Sequence, residues 1–330
     1  MSLSLPHFDF LTAERWSALG DAPVLVGDAA APDWPEGPVD AVRIGVDLVG
    51  ALPQVDAAQF DILLTVAEGA PSPWVTVSAG ALDQDAARLK AVVHACPVAA
   101  TTLVRTLRMG EGMAVDDALT LESLAYSTLL GGGEFRGWLG RRGEVAAVIG
   151  GALAQRRHDQ RLILTLASPE TRNAMTAAMR DALFEALANA MDDPSAPDVL
   201  VRAEGACFST GGDLGEFGSA GDLAMAHIIR SRRSVARLML ALGERAAVHF
   251  HGAVIGSGLE AFAGAARRTA ARDAWFQLPE VAMGLIPGAG GTLTVVRAIG
   301  RHRATWMMLS GQRVRAERAL EWGLIHEIVP

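Results

Sequence analysis

Two glycine-bearing turns and two carboxylates carry the chemical content of this sequence. The turns are Thr210–Gly211–Gly212–Asp213, inside ACFSTGGDLGEF, and Gly256–Ser257–Gly258, inside HGAVIGSGLE. Each lies between an apolar run and an expected helix, so its first N–H groups lack intrahelical partners and sit at the positive end of the helix dipole. Two such turns set side by side would aim two donors at one oxygen, which is the geometry of an oxyanion hole. Glu260 and Glu280 lie in strongly apolar surroundings, LEAFAGAA and FQLPEVAMG. Burial raises a carboxyl's pKa and lets it donate or accept a proton near neutral pH. Taken singly, such a turn is more often plain architecture, and such an acid is more often a cap or an ion pair. Their company in one chain is what suggests chemistry.

Other chemistries fit poorly. There is no G-x-x-x-x-G-K-[ST], and GSGLE lacks both the full G-x-G-x-x-G spacing and an acidic residue after a following strand. The histidines, His251 included, show no metal-ligand spacing. No Ser-His-Asp order or G-x-S-x-G elbow is legible. Cys96 and Cys207 are far apart and read as buried, reduced residues of a cytoplasmic protein. The net charge of −8 over 330 residues disfavours a nucleic-acid partner. Apolar stretches are broken well short of the roughly 20 residues of a membrane span, and MSLSLPHFDFLTAERW has neither the basic start nor the apolar run of a signal peptide.

The elements that must position these residues fall into blocks. Residues 1–40 read as a lead-in, with DAAAPDWPEGPVD as turn or linker. Residues 41–77 hold short strands, AVRIGVDLVG and FDILLTVAEG, of unread purpose. From 78 to 142 the pattern is helical. A helix runs over 83–95, Pro97 opens a second that Gly110 and Gly112 close, Leu119, Leu121, Leu124 and Leu129 mark a third, and EFRGWLGRR completes the group. Residues 143–158 read as a linker, and from 159 the chain alternates. RLILTLA is a strand, and 171–193 is a helix with Met175, Met179, Leu183 and Leu187 four apart. DVLVRAEG is a strand, and DLAMAHIIRSRRSVARLMLAL is one helix whose Arg230, Arg232 and Arg233 read as a solvated face. AAVHFHGAVIGSGLEAFAGAA runs from strand through turn to helix. This alternation argues for an α/β architecture.

SPETRNAMTAAMRDAL, ACFSTGGDLGEF, HGAVIGSGLE, FQLPEVAMGLIPGAGGT and LSGQRVRAERALEWGLIHEIVP, taken in order, resemble the crotonase or enoyl-CoA hydratase/isomerase superfamily. The resemblance implies an α/β fold with a ββα spiral core over 159–330 and a helical lid. It implies Gly212 and Ser257 as oxyanion-hole donors through their main-chain N–H, Ser257 standing where hydratases commonly have glycine. Glu260 and Glu280 match the family's glutamate pair, including its spacing, which favours hydration of a 2-enoyl-CoA thioester to the 3-hydroxyacyl product. Isomerisation or another enolate reaction, or a catalytically silent acyl-CoA-binding protein, are the alternatives. Coenzyme A would enter as part of the substrate, with no separate cofactor and no metal, and would meet Arg172, Ala174, Thr210, Asp213 and Arg105. Trp275, Phe276 and Met283 are pocket-wall candidates, although such residues are more often core. The family further implies a homotrimer or hexamer in the cytoplasm. Its terminal helical segment resembles residues 80–142, with Val104 where a phosphate-facing lysine often stands and Arg105 and Arg108 nearby. The order therefore suggests a circular permutation, the lid preceding the core.

Overall fold

The computed structural model describes residues 13–32, 34–35 and 39–329. The opening of the expected lead-in, part of the 28–40 linker and Pro330 lie outside them. Short runs of Val, Ile and Leu build the first layer: β1 (Val24–Asp28), β2 (Val42–Asp47), β3 (Ile62–Thr65) and β4 (Trp74–Thr76) form one sheet in that order, every pair parallel. β1 falls inside the stretch read as a lead-in, so the sheet starts earlier than expected; VLVGD is too short to stand out between its turn-forming neighbours. β2 and β3 are buried along their whole length, as parallel strands covered on both faces must be. Successive side chains alternate. Ile62 and Leu64 enter the main core, while Leu63 joins Trp16, Trp34, Phe60 and Trp74 on the other face.

Four helices follow: α1 (Leu82–Ala95), α2 (Pro97–Gly110), α3 (Val115–Leu130) and α4 (Gly133–Arg142). Pro97 opens α2, where its missing N–H costs no hydrogen bond. The expected 143–158 linker is shorter than read, because β5 (Leu153–His158) pairs antiparallel with β6 (Arg161–Leu166). LAQRRH is polar and mostly exposed, which suits an edge strand and hides it from an apolar-pattern reading.

The alternating region then contributes α5 (Ala177–Asp192), β7 (Asp198–Ala203), α6 (Leu223–Arg232), α7 (Val235–Ala241), β8 (Ala246–Phe250), β9 (Ala253–Ile255) and α8 (Ser257–Glu260). It closes with β10 (Arg267–Ala271), β11 (Trp275–Gln277), α9 (Gly291–Ile299), α10 (Arg301–Ser310), β12 (Val314–Arg315), α11 (Ala316–Trp322) and β13 (Glu327–Val329). The strands make a six-stranded sheet, β13-β10-β8-β7-β6-β5, and a three-stranded one, β12-β11-β9. The whole is a mixed α/β fold.

Three boundaries differ from the sequence reading. α5 starts at Ala177, because Arg172 and Asn173 are left-handed and Thr176 caps the helix by accepting from the Met179 N–H. The single helix expected over 222–242 is two, since Ser234 caps α7 on the Arg237 N–H. α8 is one turn, so Glu260 ends it instead of opening a longer helix.

The first sheet sits against α10. Arg301 Nη1 donates to the Phe60 carbonyl at 2.9 Å, Arg303 Nε to Trp74 at 3.1 Å and its Nη2 to Ala70 at 2.8 Å, and His302 Nε2 meets the Ala57 carbonyl at 2.8 Å. These buried side chains are satisfied by the carbonyl of Trp74, which opens β4, and by carbonyls of the segments leading into β3 and β4, which makes the contact specific as well as apolar. One continuous core runs from Val42 and Ile44 through α1 and α2 to Phe208 and Phe250. Among the described residues no helix is long and apolar enough to cross a membrane, and Cys96 and Cys207 are both free and buried.

Candidate active site

The two glycine turns lie side by side because Ser209 and Val254 form a parallel bridge. The Ser209 N–H donates to the Ala253 carbonyl at 3.1 Å, and the Ile255 N–H donates to Ser209 at 3.0 Å. Gly211 has φ of +85°, and a Cβ there would stand 2.9 Å from the Ile255 carbonyl oxygen and 3.6 Å from the Gly256 Cα. Glycine is therefore what lets the turns touch. Only the second turn leads straight into a helix; turns and bends, not a helix, follow the first. At Gly212, Met175 takes the adjacent ladder positions: its N–H donates to Gly211 and its carbonyl accepts from Asp213. Among the described residues, the N–H groups of Gly212 and Ser257 have no hydrogen-bond partner. Two main-chain donors thus remain available where the turns meet.

The register of β9 on β11 brings Glu280 to the same place. Gln277 lies opposite Ile255, and the Gly256 N–H donates to the Gln277 carbonyl at 3.0 Å. A Cβ on Gly256 would sit 2.7 Å from Glu280 Oε1. Glu280 is 8% exposed, and its Oε2 has no partner among the described residues. Burial pushes its carboxyl up to about 8. Glu260, 2% exposed, accepts on Oε2 from Ala289 N–H at 2.7 Å and Gly291 N–H at 3.2 Å. Burial first, then the charges of Glu280 and Glu122, hold its pKa well above the ordinary carboxylate range against those two donors.

This arrangement has the parts of an enolate-forming site: paired donors for an anionic oxygen and two buried carboxyls able to move protons. The family model for enoyl-CoA hydratase/isomerase matches residues 159–330, more than half of the chain. The chain belongs to the enoyl-CoA hydratase/isomerase family. It is 32% identical to a 2,3-dehydroadipyl-CoA hydratase of Escherichia coli (strain K12) over 174 residues, 53% of this chain and 68% of that protein. It is 33% identical over 186 residues to a fatty acid oxidation complex subunit alpha of Shewanella sp. (strain W3-18-1), of which it covers only 26%. The solved enoyl-CoA hydratase of Thermoplasma volcanium GSS1 overlays 54% of this chain and 71% of its own, with 27% identity and a TM-score of 0.49.

In this enoyl-CoA hydratase/isomerase family member the helices α1–α4 pack against elements that carry the site, α1 and α4 on the Glu280–Met283 turn and α2 and α3 on α9. Glu122, on α3 and 2% exposed, accepts from Gly290 N–H at 2.7 Å, Thr292 N–H at 2.9 Å and Thr292 Oγ1 at 2.7 Å. Ala289, Gly290, Gly291 and Thr292 therefore donate alternately to Glu260 and Glu122, and the two acids together cap α9. Burial pushes Glu122 up to about 7. In the sequence this acid belongs to a helical pattern and shows no role of its own. Its signal, an acid amid the leucines of α3, was present but could not reveal a partner far away in the chain.

A cavity beside Ser257 is bounded by Leu119, Met175, Val235 and Ala261, with Arg230 at its wall. Arg230 is thus not part of a solvated face: its guanidinium lies over the Tyr126 ring, 4.7 Å from the centroid. Arg172 and Thr210 line a second hollow with Trp275 and Arg313. The expected coenzyme A contacts do not all converge. Ala174 is buried. Asp213 is occupied within the fold, accepting from the Val148 N–H at 2.7 Å and the Gly215 N–H at 3.1 Å. Arg105 lines neither hollow and pairs with Asp40, while Arg108 pairs with Asp61. Phe276 is core, edge-on to Phe250, and neither it nor Met283 lines either hollow. Trp275 stacks under Arg313. Among the described residues no cluster of His, Cys, Asp and Glu could hold a metal ion.

Proposed function

We propose that the protein adds water across the C2–C3 double bond of a 2-enoyl-CoA thioester. The observation that carries this reading is the meeting of the two unpartnered N–H groups of Gly212 and Ser257 with the buried, unpartnered Oε2 of Glu280. In the proposed reaction the thioester oxygen sits between the two N–H groups, which favour the enolate over the neutral carbonyl. With Glu280 protonated, one of the charges that raise the pKa of Glu260 is absent and its two main-chain donors favour the ionised form; in that form Glu260 takes a proton from water as the water oxygen bonds to C3. The C2–C3 π electrons move to C2 and onto the thioester oxygen. Glu280, whose raised pKa keeps it protonated near neutral pH, delivers a proton to C2 as the carbonyl re-forms. Ser257 supplies its donor from the main chain, so its side chain is compatible with the role. Arg172 is the side chain we assign to a coenzyme A phosphate.

The contacts of α1–α4 with the site also support reading 78–142 as the family's lid set ahead of the core. A homo-oligomer, trimer or hexamer, is the assembly that family membership suggests.

The test is loss of conjugated enone absorbance on a panel of trans-2-enoyl-CoA thioesters. Turnover should fall by about 10²–10⁴-fold in Glu260→Gln and in Glu280→Gln, the span of a positioned acid or base, with the fold and thioester binding kept. Binding without turnover across the panel would reject hydration and direct the assay to double-bond isomerisation. No binding at all would reject the coenzyme A reading.

A further inference from the structure

The cavity beside Ser257 has mainly apolar walls, yet it carries charge at one side. Three arginines line it, Arg180, Arg230 and Arg233. Two of them are matched within the fold: Arg180 Nη2 lies 2.8 Å from Asp181, and Arg233 Nη1 lies 3.1 Å from the same carboxylate and 3.7 Å from Glu185. Arg230 differs. Its Nε donates to Ser123 Oγ at 3.3 Å, its Nη2 donates to Ser127 Oγ, and Tyr126 supports its face. Among the described residues no carboxylate lies within ion-pair distance of it, and its Nη1 has no acceptor. Glu122, the acid closest in sequence to these serines, already holds Gly290 and Thr292 with its two oxygens.

The side chain is therefore fixed by neutral groups and keeps one unpaired edge. Ser123 is itself tied by His227 Nδ1 at 2.9 Å, so the cradle is rigid. A guanidinium in an apolar recess whose neighbouring acid, Glu122, is already tied to Gly290 and Thr292 lacks a direct ion pair, and the partner it suits best is a planar anion able to accept two N–H bonds. The recess adjoins Ser257, one of the paired donors, so whatever enters it is attached near the thioester carbonyl. Coenzyme A phosphates are held away from that point by the length of the pantetheine arm. The free end of the acyl chain is not.

We propose that Arg230 binds a carboxylate at the far end of the acyl group, so that the preferred substrates are mono-coenzyme A thioesters of dicarboxylic acids. This rests on the coenzyme A thioester reading above. The experiment is chosen so that the two can fail separately: calorimetric binding of saturated, unreactive thioesters of matched length to the full chain, hexanoyl-CoA against adipyl-CoA and octanoyl-CoA against suberyl-CoA, with free coenzyme A as reference.

At one length or both, the carboxylated thioester should bind at least tenfold more tightly than its neutral match. Arg230→Gln should erase that difference, and Arg230→Lys should keep part of it. Equal affinities in the unaltered protein overturn the proposal while leaving the thioester reading intact. So does a preference that survives Arg230→Gln, or a variant that weakens free coenzyme A as much as adipyl-CoA, which would assign Arg230 to a phosphate. Binding of no thioester overturns both readings. Should Arg230→Gln fail to fold, the comparison in the unaltered protein and in Arg230→Lys decides.

Discussion

Three buried glutamates share one neighbourhood, and their protons govern how the protein answers pH. Glu122 is pushed up to about 7 and Glu280 to about 8, while Glu260 is held well above the usual range. The folded protein thus retains protons that the unfolded chain, with carboxylates near ~4.3, releases. Stability is fully present below the ordinary carboxylate pKa and is lost as pH rises through 7 and 8. Melting temperatures taken from pH about 5 to about 9 should fall steadily, and Glu280→Gln should flatten the upper part of that fall. Turnover should decline above pH about 8 as Glu280 gives up the proton that reaches C2. A backbone constraint adds to this. Gly256 has φ of +51° and leaves 2.7 Å between its would-be Cβ and Glu280 Oε1. Gly256→Ala should cost about 1–3 kcal/mol and depress turnover, read as a lower denaturation midpoint and a slower hydration rate. The sequence announced these residues well, since glycines beside apolar strands and acids in apolar runs are local signals. It could not announce Arg230, because a charged helix surface looks solvated until the packing partner is known.

At the scale of elements, the joint between α3 and α9 has the largest consequence. Glu122→Ala would leave the N–H groups of Gly290 and Thr292 buried without acceptors, a loss of about 3 kcal/mol. The same change frees one side of the amide series that holds Glu260. Amide hydrogen exchange should therefore rise along both α3 and 289–292, whereas a purely local defect would raise it in α3 alone. Helices α1 and α2 were legible because proline and glycine punctuate their apolar pattern. The break between α6 and α7 was not: Ser234 interrupts no periodicity, and only its cap on Arg237 reveals the new start. Strand β5 was missed for the opposite reason, since its burial is slight and its residues are polar.

At the scale of the whole molecule, a single core joins residues before and after the 143–152 connection, and α10 is buttressed by the first sheet through Arg301, His302 and Arg303. Strands β2 and β3 of that sheet were visible in the sequence, whereas β1 and β4 were not; nor was the sheet's purpose, because the α10 groups it meets lie more than two hundred residues later. Fragments 1–142 and 143–330, expressed together, should co-purify and recover turnover, while 143–330 alone should be insoluble. A soluble, active 143–330 would contradict the shared core. The order of the blocks also bears on synthesis. A ribosome delivers the helices first and the residues they cover last, so α3 emerges with Glu122 while the amides that will receive it are still unmade. Until α9 follows, that acid stays hydrated and ionised, and its helix has an uncovered apolar face that a holding chaperone would recognise. Closing the fold is then the event that draws Glu122 out of water, and the protein takes up protons from the cell as it matures.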